Sequence, residues 1–253
     1  MKHIRNTPPR KFNGYSVAII CLAALSLVLI CRFALQTDAM QYQLRQFGLT
    51  DRYHLDNTTT VSSWDSCLDR LHIDADVVFL GDSLTRGHDF QADYPELSIV
   101  NLGLSGDTIL DVTRRVFMLK TVRPEKVFLM AGVNSLRNEK KIGKYYAQYV
   151  DLCEKIRETV PNAKLYIISV LPVSADHDNR FLGTIRGINN DFIRRFNDMI
   201  QQYANLNNLT YIDLYQYYEY NGSLNPAYAQ DSIHITDDAY RFWIDAVRDY
   251  MID

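Results

Sequence analysis

The feature that most constrains the fold is the alternation of short apolar runs with longer amphipathic segments. Five runs have the length and composition of strands, at residues 77–80, 98–102, 126–130, 164–170 and 209–214. Segments of helical length separate or follow them, at 108–119, 142–160, 188–206 and 237–251. Strands that alternate with helices form parallel sheets covered on both faces. The sequence therefore predicts an α/β body with three layers, α/β/α.

Four short polar motifs follow these runs or precede a helical segment. They read GDSL at 81–84, SGDT at 105–108, GVNS at 132–135 and DSIH at 231–234. In parallel α/β proteins the carboxyl ends of the strands form the ligand site. We therefore expect the four motifs to meet at this edge of the sheet.

Three residues of these motifs can form a nucleophilic triad. Ser83 follows the run at 77–80, so its hydroxyl is predicted at an exposed turn between a strand and a helix. His234 can act as its general base, and Asp231 can hold the imidazole tautomer and stabilise the imidazolium. This set is typical of serine-dependent ester hydrolysis.

Attack on an ester builds negative charge on the carbonyl oxygen, which fixed hydrogen-bond donors stabilise. The candidate donors are the backbone N–H groups of Ser83 and Gly106 and the side-chain amide of Asn134. Glycine lets the backbone approach a substrate closely, and an amide is a donor without a titratable proton. Together they predict an oxyanion hole.

The four motifs, in this order, resemble the SGNH or GDSL hydrolase family of esterases and lipases. The letters of the family name fall on Ser83, Gly106, Asn134 and His234, and the family's aspartate falls on Asp231. The resemblance runs from about residue 76 to the C-terminus. It implies a flavodoxin-like five-stranded parallel sheet and a serine esterase that forms an acyl-enzyme, with no metal and no cofactor.

One position departs from the family pattern. The third motif usually ends in aspartate, whereas Ser135 stands there in this chain. The oxyanion donor survives this change, but the hydrogen bonds that hold the Asn134 loop must differ. If the family geometry holds, Leu104, Val133 and Ile233 flank the motifs and bind the acyl group of the substrate.

Three functions use the same residues. The first is hydrolysis of O-acyl esters, with a carbohydrate acetyl ester or a lysophospholipid-like ester as substrate. The second is O-acyl transfer to an envelope glycan, in which a sugar hydroxyl replaces water. The third is a glycan- or lipid-binding module without catalysis, with Tyr215, Tyr217, Tyr218 and Tyr220 as a stacking platform. The alternative for these tyrosines is packing beneath the loop.

The N-terminal segment predicts a membrane anchor. Residues 15–35 are mostly apolar, follow a basic tail at 1–14 and precede a polar stalk at 36–63, which leaves 64–253 for the hydrolase domain. Their length lies between a signal-peptide core and a spanning helix, so secretion after cleavage is the alternative. The basic tail predicts a cytoplasmic N-terminus, with the catalytic domain on the other side of the membrane.

Charge and the remaining residues add smaller predictions. Residues 39–253 carry a formal charge of −7, which disfavours nucleic-acid binding. Cys153 lies on an apolar helical stripe, so a core position is favoured over a disulfide with Cys67. Asp82 is expected to bond the backbone, Thr236 to cap the last helix, and His88 to lack a nearby carboxylate.

Overall fold

The structure is a computed structural model that describes residues 74–174 and 188–252. These residues all belong to one compact unit, Asp56–Asp253. The predicted anchor at 15–35, the basic tail, the stalk and Cys67 lie outside the described residues. No helix within the described ranges is long and apolar enough to cross a bilayer.

Five parallel strands form the central sheet, as the alternation of apolar runs predicted. They are β1 (Val77–Gly81), β2 (Ile99–Gly103), β3 (Lys126–Met130), β4 (Lys164–Ile168) and β5 (Thr210–Ile212). Their order across the sheet is β2-β1-β3-β4-β5, which is the flavodoxin-like order. Every residue of β1 and β3 is buried, because helices cover both faces at the centre of the sheet.

Eight helices and a small hairpin complete the described residues. The helices are α1 (Ser83–Arg86), α2 (Phe90–Asp93), α3 (Ile109–Arg114), α4 (Met118–Val122), α5 (Ile142–Thr159), α6 (Asn190–Leu206), α7 (Tyr215–Tyr218) and α8 (Tyr240–Ile252). The hairpin pairs β6 (Glu219–Tyr220) with β7 (Ser223–Leu224). Short 3-10 turns, Glu139–Lys141 and Asp237–Ala239, precede α5 and α8.

The prediction of a single helix over 108–119 is wrong, because this segment forms two helices, α3 and α4. The chain leaves the helical conformation at Arg115, whose side chain is buried. Apolar residues continue with helical spacing across the break, at Val112, Val116 and Leu119, so periodicity does not reveal it.

The long helices bury the faces that their sequences predicted. Cys153 is fully buried on α5, and burial raises the pKa of its thiol, which confirms a core position. On α8 the buried residues include Trp243, Val247 and Met251. Thr236 stands at the N-cap of the turn before α8, but its side chain makes no capping hydrogen bond, so that part of the prediction is wrong.

Candidate active site

Ser83 begins α1 at the carboxyl end of β1, an interior strand of the sheet. Asp82 caps this short helix, because its Oδ1 accepts a hydrogen bond from the backbone N–H of Leu84 at 3.0 Å. The backbone role predicted for Asp82 is thus confirmed. Gly81 is required by close packing, since a side chain there would collide with Thr85 and the carbonyl of Met130. The turn brings Ser83 to the edge of the sheet.

A continuous chain of hydrogen bonds joins Ser83, His234 and Asp231. The Oγ of Ser83 lies 2.9 Å from Nε2 of His234, and Nδ1 of His234 lies 2.6 Å from Oδ2 of Asp231. The other carboxylate oxygen accepts the backbone N–H groups of Ile233 and His234, both at 2.8 Å. Three residues predicted from two distant motifs are therefore in direct contact.

The charges and hydrogen bonds of this series of three residues favour proton acceptance by His234. Its hydrogen bond with Asp231 raises the pKa of the imidazole above the usual value, although burial opposes the shift. Burial tends to raise the pKa of Asp231, but the hydrogen bonds from His234 and the backbone outweigh it and lower the pKa to about 2. A carboxylate that stays ionised can stabilise a protonated imidazole beside it.

The candidate oxyanion donors lie on neighbouring loops. Gly106 follows β2 and has a φ of 81°, a conformation that glycine adopts without strain. Asn134 follows β3, and its Nδ2 donates to the carbonyl of Asp107 at 3.0 Å. An amide has two N–H groups, so the second can serve a ligand. The contact between Asn134 and Asp107 ties the two loops together.

Ser135, the departure from the family pattern, makes a bond of its own. Its Oγ accepts the backbone N–H of Ile109, in the first turn of α3, at 2.9 Å. The side chain is buried, so this bond is protected from water. A serine thus connects the Asn134 loop to the segment that follows Gly106.

Arg115 is the member of the site that sequence reasoning missed. Its guanidinium donates to Oδ2 of Asp107 at 2.6 Å and to the carbonyls of Leu102 and Gly81, both at 2.7 Å. Arg115 is 4% exposed, so these charge-assisted bonds lie in the interior. One side chain thereby holds the ends of β1 and β2 and the loop of Gly106. An arginine within an otherwise apolar helical stripe is the signal that could have revealed it.

Comparison with known proteins decides the family. The model of the GDSL-like Lipase/Acylhydrolase family matches residues 79–242, well over half of the chain. The chain belongs to this family. It is therefore a GDSL-type hydrolase, an enzyme of the esterase class. No curated protein matches it with significance.

Solved structures share the fold of this GDSL-type hydrolase at low sequence identity. A Streptococcus pneumonia protein named for platelet activating factor is 18% identical, with a TM-score of 0.69 over 85% of this chain and 100% of the other. A GDSL-like lipase from Bacteroides thetaiotaomicron is 22% identical, with a TM-score of 0.61 over 76% and 97%. A member of the lipolytic G-D-S-L family from Veillonella parvula is 18% identical, with a TM-score of 0.53 over 68% and 96%.

The residues expected to bind the acyl group differ in accessibility in this GDSL-type hydrolase. Leu104 is 44% exposed, whereas Val133 is 2% and Ile233 is 3% exposed. The aromatic run is divided in the same way, because Tyr215 and Tyr218 are buried and Tyr217 and Tyr220 are exposed. Burial excludes Tyr215 and Tyr218 from a stacking platform, whereas Tyr217 and Tyr220 face solvent.

The expectation that His88 lacks a nearby carboxylate is wrong. Its Nε2 lies 2.6 Å from Oδ2 of Asp93, because the single turn of α2 brings Asp93 back towards it. The His88 ring also stacks on Tyr240, with the ring centroids 4.6 Å apart. The hydroxyl of Tyr240 donates to the carbonyl of Leu84 at 2.6 Å, so this cluster supports the helix of Ser83.

Proposed function

We propose that this GDSL-type hydrolase cleaves O-acyl esters through a Ser-His-Asp triad and an acyl-enzyme. The observation that carries the proposal is the hydrogen-bonded chain from Asp231 through His234 to the Oγ of Ser83. A serine whose hydroxyl contacts a base, held in turn by a carboxylate, is the arrangement that activates an otherwise weak nucleophile.

The proposed reaction has two halves. In the first, Oγ of Ser83 bonds to the carbonyl carbon while its proton passes to Nε2 of His234, and Asp231 stabilises the imidazolium. The tetrahedral intermediate then expels the alcohol, which leaves with the proton from His234. In the second half, water gives a proton to His234 and attacks the acyl carbon. Ser83 then leaves as the hydroxyl, and the carboxylic acid is released.

The donors proposed for the oxyanion are the backbone N–H groups of Ser83 and Gly106 and the amide of Asn134. This assignment is supported by the bonds of Arg115 and Asp107, which hold the segments that carry the three donors. Removal of one such donor typically costs about a hundredfold to a thousandfold in kcat. Donors fixed before the substrate arrives need no reorganisation during the reaction.

The proposed substrates are carbohydrate acetyl esters or lysophospholipid-like esters. The exposed side chain of Leu104, two residues before Gly106, offers apolar surface beside the acyl group. We further propose that residues 15–35 anchor the chain in a membrane, with the hydrolase domain outside the cytoplasm. The support for this is the apolar segment behind a basic tail.

The test is ester hydrolysis by the 253-residue chain across 4-nitrophenyl esters from acetyl to dodecanoyl, with Ser83→Ala as the control. Serine-dependent hydrolysis supports the proposal, and its chain-length optimum separates acetyl esters from lipid esters. A folded protein that neither hydrolyses any ester nor reacts with a fluorophosphonate at Ser83 would contradict it and favour the binding module. Acyl transfer to added sugar that exceeds hydrolysis would instead identify an O-acyltransferase.

A further inference from the structure

Arg86 connects the helix of Ser83 to the Gly106 loop. It follows Ser83 by three residues on α1, and residues three apart on a helix share a face with Cβ atoms about 5–6 Å apart. Its Nη1 donates to Oγ of Ser105 at 3.0 Å, and Ser105 directly precedes Gly106. The guanidinium is therefore bonded to the residue that directly precedes a proposed oxyanion donor, and the helix that carries it begins with the proposed nucleophile.

The charge of Arg86 has no carboxylate partner among the described residues. Asp89, three residues further on, forms no ion pair with it within the described ranges. Seven other arginines of these ranges do form ion pairs, namely Arg114, Arg115, Arg123, Arg157, Arg194, Arg195 and Arg248. A guanidinium has five N–H donors, and the bond to Ser105 uses one of them. Arg86 thus keeps both its charge and most of its donors for a ligand.

The overall charge of the domain does not explain a cation at this position. Residues 39–253 carry a formal charge of −7, so their long-range field does not attract anions. The carboxylates of the motifs have other partners, because Asp82 accepts the N–H of Leu84, Asp107 pairs with Arg115 and Asp231 pairs with His234. An anion at this position would be held by local contact with Arg86.

We propose that Arg86 binds an anionic group, a carboxylate or a phosphate, that the ester substrate carries near its scissile bond. A guanidinium recognises both groups through paired N–H donors. This inference rests on the proposed esterase function and narrows its substrate class to anionic O-acyl esters. Acetylated acidic sugars and phosphate-bearing lipid esters both contain the required chemistry.

The competing explanation is that Arg86 only steadies the loop through its bond to Ser105. Arg86→Gln separates the two roles, because glutamine keeps an N–H donor and loses the charge. Arg157→Gln is a matched control, since Arg157 is an exposed arginine on α5 that pairs with Glu154. It makes the same change in net charge on a residue that has no part in the proposed site.

The experiment compares kcat/KM for substrates that differ only in charge, using the 253-residue chain. One pair is 4-carboxyphenyl acetate and 4-carbamoylphenyl acetate, which places the charge on the alcohol side. The other is the 4-nitrophenyl ester of glutaric acid and that of its monoamide, which places it on the acyl side. The acid-to-amide ratio of kcat/KM is compared between the variant and the wild type, so that the intrinsic reactivity of each ester cancels.

We expect Arg86→Gln to lower the acid-to-amide ratio about tenfold in one of the two pairs, as for loss of a charge-assisted bond. Arg157→Gln should leave both ratios within about twofold, because an exposed ion pair contributes little. The wild-type ratio should also fall as salt rises. If Arg86→Gln changes neither ratio while Ser83-dependent hydrolysis persists, the anion site is ruled out. If the wild type shows no Ser83-dependent hydrolysis of any of these esters, the proposed function is overturned instead.

A second comparison assigns the source of the anion. Acetylated methyl glucuronoside is compared with acetylated methyl glucoside, and lysophosphatidic acid with a monoacylglycerol of the same chain. An Arg86-dependent preference in the first pair identifies an acidic sugar, and one in the second identifies a phosphate-bearing lipid. An Arg86-dependent preference for both neutral partners would contradict the proposal.

Discussion

Ser83, the proposed nucleophile, and His234, the proposed general base, are held in place by different means. Around Ser83 and Gly106, Arg115 bonds to atoms 8, 13 and 34 residues away, all in the protein interior. Around His234, most of the bonds that orient the ring join close neighbours: Asp231 accepts from Ile233 and His234, and the N–H of Gln230 donates to the carbonyl of His234 at 2.8 Å. The first region depends on the packed fold, and the second on a short loop.

Because of this difference, substitutions in the two regions should affect catalysis and stability to different extents. The short loop of His234 can lose a hydrogen bond without disturbing the sheet, so changes there should act mainly on proton transfer. The buried network of Arg115 joins two strand ends and a loop, so changes there should weaken the fold and displace the oxyanion donors together. Variants near His234 should therefore lose more activity than stability, whereas variants of the Arg115 network should lose more stability than activity.

The largest effect is expected from Asp231→Asn. It removes the carboxylate that orients His234, and kcat/KM should fall by about a thousandfold or more. Asn keeps an oxygen for the backbone N–H groups, so the thermal midpoint should change little. The hydrogen bond with Asp231 raises the pKa of His234, so the wild-type rate should be lost as pH falls through a value above 6.5. In the variant this acid limb should move to lower pH.

The measurement is the pH profile of kcat/KM for an activated ester, together with a thermal melt. An active Asp231→Asn with an unshifted acid limb would contradict the role of Asp231 in raising the pKa of the general base. The sign is fixed by the mechanism, because only the neutral imidazole accepts the proton of Ser83.

A smaller loss is expected from Asn134→Ala, which removes one proposed oxyanion donor, bonded to Asp107 of the Arg115 network. The kcat should fall by about a hundredfold to a thousandfold with little change in KM, since the donor acts on charge that forms in the transition state. Ser135→Ala is the control, because it loosens the same loop and leaves the donor. Steady-state kinetics of both variants would exclude the assignment if Asn134→Ala altered KM alone.

These two regions also differ in how far the sequence predicts them. Asp231 and His234 are three residues apart, and their side chains bond to each other. Such a short separation makes this contact predictable from the motif alone. The sheet was equally predictable, because β1 and β3 are continuous apolar runs with buried neighbours on both faces.

Arg115 was not predictable in the same way. Its partners lie on three separate segments, and only the tertiary fold brings their carbonyls within reach of one guanidinium. The pairing of His88 with Asp93 was missed for a related reason, since the single turn of α2 gives no periodic pattern. Long-range polar contacts leave little trace in local sequence, whereas apolar periodicity and short motifs leave a clear one.

A moderate effect on activity, with a larger one on stability, is expected from Arg115→Lys. Lysine keeps the charge but cannot bond Asp107, Leu102 and Gly81 together, so buried acceptors lose partners. Unfolding should become easier by about 1–3 kcal/mol, and kcat should fall by about tenfold as the oxyanion loops shift. Arg157→Lys, on an exposed ion pair, should change stability by less than about 0.5 kcal/mol. Equal thermal midpoints for Arg115→Lys and the wild type would contradict the stabilising role of the network.

The last prediction concerns the pH dependence of stability, and its variant is Asp82→Asn. Burial raises the pKa of Asp82 to about 7, although the N–H of Leu84 donates to it, whereas three hydrogen bonds hold the pKa of Asp231 at about 2. A raised pKa means that the folded state favours the protonated acid. The penalty of ionising Asp82 therefore grows as pH rises from about 4 to 7 and is complete above that. Asparagine imitates the protonated acid, so the variant should melt several degrees higher than the wild type at about pH 8 and at the same temperature near pH 4. A gain of equal size at both pH values would show that shape, and not charge, is responsible.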